Sequence, residues 1–187
     1  MTKIYYAGIG SRDVPEDVYN TFYELAGLLY ANGFTLRSGG ANGSDTAFEA
    51  GTPDDPDTQI FLPKDGFNGR LGDFTSPSQN AIRVAEEHHP AWKNIRSDMA
   101  KKLLSRNTHQ ILGPDVIYPE DYSSFVVCWT PDGAEHTKRT SRATGGTGQA
   151  IRVATTHRIP VFNFFNNDAY DRLMHHLNLF YDVDLIN

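Results

Sequence analysis

The sequence predicts an α/β protein, a Rossmann-like three-layer αβα sandwich with a mainly parallel sheet. Short apolar runs of strand character alternate with segments of helical periodicity along the chain, as in parallel sheets covered by helices on both faces. Three of the strand-like runs lead into glycine-rich loops, and open α/β sheets bind their ligands at such junctions. The 187 residues, of which 39% are hydrophobic, predict one domain over residues 1–187.

Local signals delimit the individual elements. Pro15 suits the first turn of a helix and Gly33 its end, whereas Ser44 or Asp45 begins the next helix. A loop over residues 63–80, rich in Gly, Pro, Ser and Asp, has a length that is often functional. The expected strands cover residues 4–7, 34–36, 58–62, 125–129 and 159–164, and the expected helices cover residues 15–33, 44–50, 81–87, 92–112, 149–155 and 168–179.

Composition narrows the class of protein. The net charge of -6 argues against a protein that coats nucleic acid by bulk charge, although a local basic pocket for one phosphate is compatible with it. The single cysteine, Cys128, lies in an apolar run and is expected to be a buried, inert thiol. The sequence shows no apolar stretch of membrane-spanning length and no signal core, so we expect a cytoplasmic protein without a membrane partner.

The glycine-rich loops cover residues 8–12, 38–45 and 145–148. Glycine lets the backbone approach a ligand closely, and the N–H groups at the start of the following helix attract an anion. Three such loops at equivalent junctions therefore predict a phosphate-binding site. None of them matches the phosphate loop of nucleoside triphosphatases or the dinucleotide fingerprint of dehydrogenases, so we predict no cofactor.

Four strings of residues, 10–12, 37–49, 106–107 and 145–150, occur in an order that resembles the SLOG superfamily. This superfamily includes the DNA-processing protein A (DprA/Smf) and the LOG phosphoribohydrolases, and the sequence looks most similar to the compact DprA-like proteins that bacteriophages often carry. The resemblance implies a Rossmann-like fold, a nucleotide or nucleic-acid phosphate above the glycine loops, and a homo-oligomer. Arg152 stands where LOG enzymes carry their catalytic glutamate, and Thr144 stands where they carry a proline.

Three residues are candidates for catalysis. Asp45 and Glu49 are spaced i, i+4, so one helical face presents both carboxylates near the expected pocket. They suit a role in N-glycosidic cleavage or in holding a ribose hydroxyl, and the alternative is a cap at the helix start. Arg106 matches an arginine of the family and suits a phosphate contact, and the alternative is a solvated helix face.

The candidate ligand-binding residues come mainly from the glycine loops. Arg12 suits a bidentate phosphate contact, with a surface ion pair to Asp13 or Glu16 as the alternative. A basic cluster at Lys138, Arg139 and Arg142 is either a phosphate lid or a solvated face. The full set comprises Gly10, Ser11, Arg12, Ser38, Gly39, Gly40, Asn42, Gly43, Ser44, Asn107, Trp129, Gly145, Gly146, Thr147, Gly148 and Gln149.

The sequence predicts no metal site. The pairs His88-His89 and His175-His176 are adjacent residues, which point in different directions on a helix, and no further ligand spacing completes a zinc site. Three functions remain open. They are a hydrolase of the N-glycosidic bond of a nucleotide, a non-catalytic binder of a nucleotide-derived signal, and a DprA-like binder of single-stranded nucleic acid, which the acidic net charge disfavours.

Overall fold

The computed structural model describes residues 3–72 and 74–183, and within them the chain forms five strands and six α-helices. The strands are β1 (Ile4–Gly10), β2 (Phe34–Ser38), β3 (Gln59–Ile60), β4 (Val126–Trp129) and β5 (Val161–Asn163). The helices are α1 (Glu16–Ala31), α2 (Ser44–Gly51), α3 (Gln79–His88), α4 (Asp98–Leu112), α5 (Thr147–Thr156) and α6 (Ala169–Tyr181).

The five strands form one sheet in the order β3-β2-β1-β4-β5, and every pairing in it is parallel. At its centre, Ala7 of β1 pairs with Arg37 of β2 on one side and with Val126 of β4 on the other. The chain builds outward from β1 to β3 and then returns to place β4 on the opposite side. The topological switch point, where such sheets open a crevice, therefore lies between β1 and β4.

The helices cover both faces of the sheet, which confirms the predicted Rossmann-like sandwich. Successive side chains of β1 point to opposite faces. Tyr6 belongs to a core cluster with α1, α2 and α6, in which Phe22 and Phe48 are fully buried. Ala7 belongs to a second cluster with α3, α4 and α5. Strand β4 is packed on both faces, and burial raises the pKa of its Cys128 thiol, as expected for an inert cysteine.

Helix α1 shows why the local signals succeed. Pro15 precedes its first residue, and the carboxylates of Glu16 and Asp17 lie in the first turn, where the helix dipole favours negative charge. Gly33 follows the end of the helix with a φ of 84°, a conformation that a residue with a Cβ adopts only at a cost. The predicted start and end of this helix are therefore confirmed to within about two residues.

The prediction of a continuous helix over residues 92–112 is wrong in its first third. A short 3-10 turn covers Trp92–Asn94, and α4 begins only at Asp98. The side chain of Ser97 accepts a hydrogen bond from the N–H of Ala100 (3.2 Å), so this serine is the N-cap. In the part of the chain that the structure describes, no helix combines the length and the apolar character needed to cross a membrane.

Candidate functional site

A cavity of about 440 Å³ opens at the carboxyl edge of the sheet, at the switch point between β1 and β4. We call it the edge cavity. Its walls are the loop after β1, the start of α2, one face of α4 and the loop before α5. The lining comprises Ile9, Gly10, Ser11, Arg12, Asp13, Ala41, Asp45, Ala100, Leu103, Leu104, Arg106, Asn107, Gln110, Ala143, Thr144, Gly145, Gly146 and Thr147.

The loop before α5 presents free backbone amides to the edge cavity. Among the described residues, the N–H groups of Gly146 and Thr147 donate no hydrogen bond, and no side chain caps the start of α5. The side-chain amide of Asn107 donates to the carbonyl oxygen of Gly146 (2.8 Å) and so ties this loop to α4. Helix N-termini with free N–H groups of this kind attract anions in proteins.

Asp132 holds the segment that leads into this loop. Its carboxylate accepts hydrogen bonds from the hydroxyls of Thr130 (2.9 Å), Ser141 (2.7 Å) and Thr144. Partial burial disfavours the charged carboxylate, but the hydrogen bonds from Thr144, Ser141 and Thr130 outweigh this effect and lower the pKa of Asp132. Asp132 therefore stays ionised and fixes residues 141–144.

The loop after β1 brings Arg12 to the mouth of the edge cavity. Both the N–H and the hydroxyl of Ser44 donate to the carbonyl oxygen of Ser11, at 3.1 and 3.0 Å. A Cβ at position 43 would lie 2.3 Å from the carbonyl oxygen of Arg12, so only Gly43 allows this contact. The Arg12 side chain is exposed and forms no ion pair within residues 3–72 and 74–183, so neither Asp13 nor Glu16 neutralises it.

Arg106 and Asp45 form a buried ion pair at the floor of the edge cavity, with 3.2 Å between Nη1 of Arg106 and Oδ2 of Asp45. The same carboxylate oxygen accepts a hydrogen bond from the N–H of Ala41 (3.3 Å). Burial raises the pKa of Asp45 and lowers that of Arg106, and the attraction between the two charges opposes both shifts. Arg106 is therefore not on a solvated helix face. It lines the cavity, where a phosphate contact was predicted, but Asp45 neutralises its charge.

In the second glycine loop, carboxylates of the chain accept hydrogen bonds from the N–H groups, and Gly39 and Gly40 do not line the edge cavity. The N–H of Gly40 donates to Oε1 of Glu49 (3.0 Å), and the guanidinium of Arg106 covers Gly39. An added Cβ at Gly39 would lie 1.3 Å from Nη1 of Arg106. The carboxylates of α2 therefore accept hydrogen bonds from the N–H groups of this loop.

Glu49 does not share a cavity with Asp45, so the expectation that both carboxylates face one pocket is wrong. Its carboxylate forms an ion pair with Arg70, which belongs to the long loop of residues 63–80. Both side chains line a separate cavity of about 330 Å³. The hydrogen bond from Gly40 and the charge of Arg70 together hold Glu49 on the far side of the second glycine loop.

Several other predicted ligand-binding residues lie outside the edge cavity. The hydroxyl of Ser38 donates to the carbonyl oxygen of Gly8 (2.8 Å). The side-chain amide of Gln149 donates to the carbonyl oxygen of Ala85 (2.9 Å). Trp129 packs against Phe165 with 6.3 Å between ring centroids. Seven further candidates do not line the cavity as the structure describes it: Asn42, Gly43, Ser44, Gly148, Lys138, Arg139 and Arg142.

Sequence reasoning missed one wall and part of the floor. Leu103 and Leu104, which were not candidates, are half-buried and form an apolar wall. Gln110, at the floor, was not a candidate at all. The spacing of Leu103, Arg106, Asn107 and Gln110 places them on one face of α4, and this periodicity is the signal that could have found the last of them.

No protein-family model and no curated protein matches the chain. Among solved structures, it matches DNA processing protein A from Helicobacter pylori with a TM-score of 0.53 and 18% sequence identity. The match covers 94% of this chain and 73% of that protein. The chain shares its fold with DNA processing protein A.

This likeness agrees with the DprA part of the predicted resemblance. The structure of the Helicobacter pylori protein concerns its binding of single-stranded DNA. At 18% identity, the likeness to DNA processing protein A concerns the fold of this chain and not its ligand. The LOG and bacteriophage parts of the resemblance stay predictions.

Proposed function

We propose that this protein binds a nucleoside phosphate in the edge cavity without cleaving its N-glycosidic bond. One observation carries the proposal. The cavity joins the free amides of Gly146 and Thr147 to the apolar wall of Leu103 and Leu104 within about 440 Å³. A ligand with an anionic end and a flat apolar body suits these two regions, and the volume lies in the range of small-molecule sites.

The charges at the cavity favour placing the phosphate at the mouth. Arg12 is exposed and lines the same cavity as the free amides, whereas the charge of Arg106 is balanced by Asp45. A dianionic phosphate at the floor would meet the Asp45 carboxylate, and the two negative charges would repel each other. At the mouth it meets an unpaired guanidinium and the positive end of α5.

The positions of Asp45 and Glu49 argue against hydrolysis by the two carboxylates predicted to be catalytic. Asp45 already accepts hydrogen bonds from Arg106 and Ala41, and Glu49 is held by Gly40 and Arg70 in the other cavity. A general base must lie within hydrogen-bond reach of the proton that it takes. Asp45 and Glu49, proposed from the sequence as catalytic residues, instead stabilise the second glycine loop.

Titration calorimetry with nucleoside 5′-monophosphates and with ribose 5-phosphate tests the proposal. We expect Arg12→Ala to weaken binding about 10- to 100-fold, because it removes a charge-assisted hydrogen bond. Arg83→Ala, an exposed arginine of α3 that bonds to Asn80, is the matched control and should bind like the unmodified protein. The nucleotide should be recovered intact by chromatography, and release of free base would contradict binding without cleavage.

Single-stranded DNA is the second candidate ligand. It is favoured by the fold likeness to DNA processing protein A and by the exposed Lys138, Arg139 and Arg142 ahead of the open loop. A strand that contacts several phosphates releases counterions, so its affinity falls steeply with salt, whereas a single phosphate gives a shallow slope. Titration of an oligodeoxynucleotide at several salt concentrations separates the two candidates. A homo-oligomer and a cytoplasmic location stay predictions.

A further inference from the structure

Gln110 is a buried glutamine that lines the edge cavity. The residue is 2% exposed, and no described residue forms a hydrogen bond with its side-chain amide. Its backbone carbonyl, in contrast, accepts a bond from the hydroxyl of Ser123 (2.7 Å). Buried amides are normally paired, since an unpaired one disfavours the folded state. An amide that lines a cavity and has no partner among the described residues is available to a ligand.

The neighbours of Gln110 define the chemistry of the floor. Its Nε2 atom and Nη1 of Arg106 lie side by side above Gly39, where an added Cβ would come within 2.5 and 1.3 Å of them. Arg106 is paired with Asp45, so the floor offers hydrogen bonds but carries no net charge. A neutral polar group suits this place better than a phosphate.

The geometry of α4 sets the distance between the apolar wall and the floor. Leu103 and Gln110 are seven residues apart on one face, which is about 10 Å along the helix. Leu103 and Leu104 form one apolar wall of the cavity, and Ile9 of β1 lines the cavity as well. A flat ring whose edge carries adjacent donors and acceptors fills such a space.

We propose that Gln110 reads the hydrogen-bonding edge of a nucleobase, and that it makes the edge cavity selective among bases. The inference rests on the proposed nucleotide binding and adds the part of the ligand that the floor recognises. A glutamine amide offers one donor and one acceptor in a plane, the pattern with which glutamine forms two hydrogen bonds to an adenine edge. The phosphate at the mouth supplies affinity, and the amide at the floor supplies selectivity.

The Gln110→Met variant tests this role through two independent readouts. Calorimetry compares the four common nucleoside 5′-monophosphates with ribose 5-phosphate. In the unmodified protein we expect one base to bind best, and in the variant we expect its affinity to fall about 10- to 100-fold, to that of ribose 5-phosphate. Binding of ribose 5-phosphate itself should not change.

Thermal unfolding supplies the second readout. Because the amide of Gln110 has no partner, an apolar side chain of similar size should leave the melting temperature unchanged or raise it. Gln59→Met is the matched control, since the side-chain oxygen of Gln59 accepts a bond from Nε of Arg37 (2.7 Å). That variant should melt at a lower temperature and keep the preference among bases.

Three outcomes of the calorimetry distinguish a failure of base recognition by Gln110 from a failure of nucleotide binding. If nucleotides bind and Gln110→Met keeps their affinities and preference, the role of Gln110 is wrong and nucleotide binding stands. An equal loss for ribose 5-phosphate would assign Gln110 to the shape of the cavity and overturn base reading. If the unmodified protein binds neither nucleotides nor ribose 5-phosphate, the proposed function fails and the inference fails with it.

Discussion

The two glycine-rich loops that flank α4 look alike in the sequence and differ in the structure. In the loop before α2, the N–H groups of Gly40 and Ala41 donate to Glu49 and Asp45. In the loop before α5, the N–H groups of Gly146 and Thr147 donate to no described residue. The first turn of α2 contains an acidic residue, and that of α5 contains none. Of these two loops, the one whose following helix brings no carboxylate keeps its N–H groups free.

The largest expected effect comes from breaking the closed loop. Arg106→Ala removes one partner of a buried ion pair and leaves the charge of Asp45 uncompensated. We expect the free energy of unfolding to fall by about 3–5 kcal/mol, as for other broken buried pairs. Urea denaturation measures this change. A loss below about 1 kcal/mol would show that the pair does not hold the second glycine loop in place.

An intermediate effect is expected from closing the open loop. Thr147→Asp places a carboxylate in the first turn of α5, as Asp45 does in α2. The new charge should occupy the free amides and repel a phosphate, so nucleotide affinity should fall about 10- to 100-fold. The melting temperature should hold or rise slightly, because the helix dipole favours the charge. Thr147→Val, which adds no charge, is the control, and unchanged nucleotide affinity in Thr147→Asp would break the comparison.

The smallest expected effect concerns His109, which lies on α4 away from both loops. Its Nδ1 bonds to the carbonyl oxygen of Gly113 (2.9 Å), and its Nε2 accepts from the N–H of Ser78 (3.0 Å). These partners require a neutral ring. Burial, the largest cause, and the charge of Arg37 lower the pKa of His109, although the bond to Gly113 opposes them.

The lowered pKa of His109 makes the stability of the protein depend on pH. Below about pH 6.5, histidine takes up a proton in the unfolded chain before it does in the folded protein. The stability that the neutral His109 ring contributes is therefore fully present above that pH and is lost as the pH falls. The slope for one proton is at most about 1.4 kcal/mol per pH unit. Denaturation of the unmodified protein and of His109→Gln at several pH values measures it, and equal slopes would exclude His109 as the cause.

The sequence predicts the sheet well because its signals are local. Alternating apolar and amphipathic segments specify a parallel sheet, and Gly33 ends α1 where expected. The start of α4 was misplaced because the apolar pattern continues through residues 92–97, and the capping hydroxyl of Ser97 decides the boundary.

The candidate site was harder to predict because its decisive contacts join distant residues. Arg70 lies 21 positions after Glu49 and draws it into the second cavity, and no local pattern announces this ion pair. Gln110 looks like any polar residue of an amphipathic helix until α4 is packed against the sheet. The free amides of Gly146 and Thr147 could be predicted, because the glycine loop and the absence of an acidic residue after it are both visible in the sequence.

The shortness of the outermost strands restricts how this protein can associate with copies of itself. Strand β3 has two residues and β5 has three, and Phe74 bridges to Phe61 next to β3. Long unpaired borders of a sheet act as templates for another chain and lead to fibrils, and borders as short as these offer few groups for pairing. A homo-oligomer of this protein would consequently assemble through its helical layers and keep the sheet of each subunit separate.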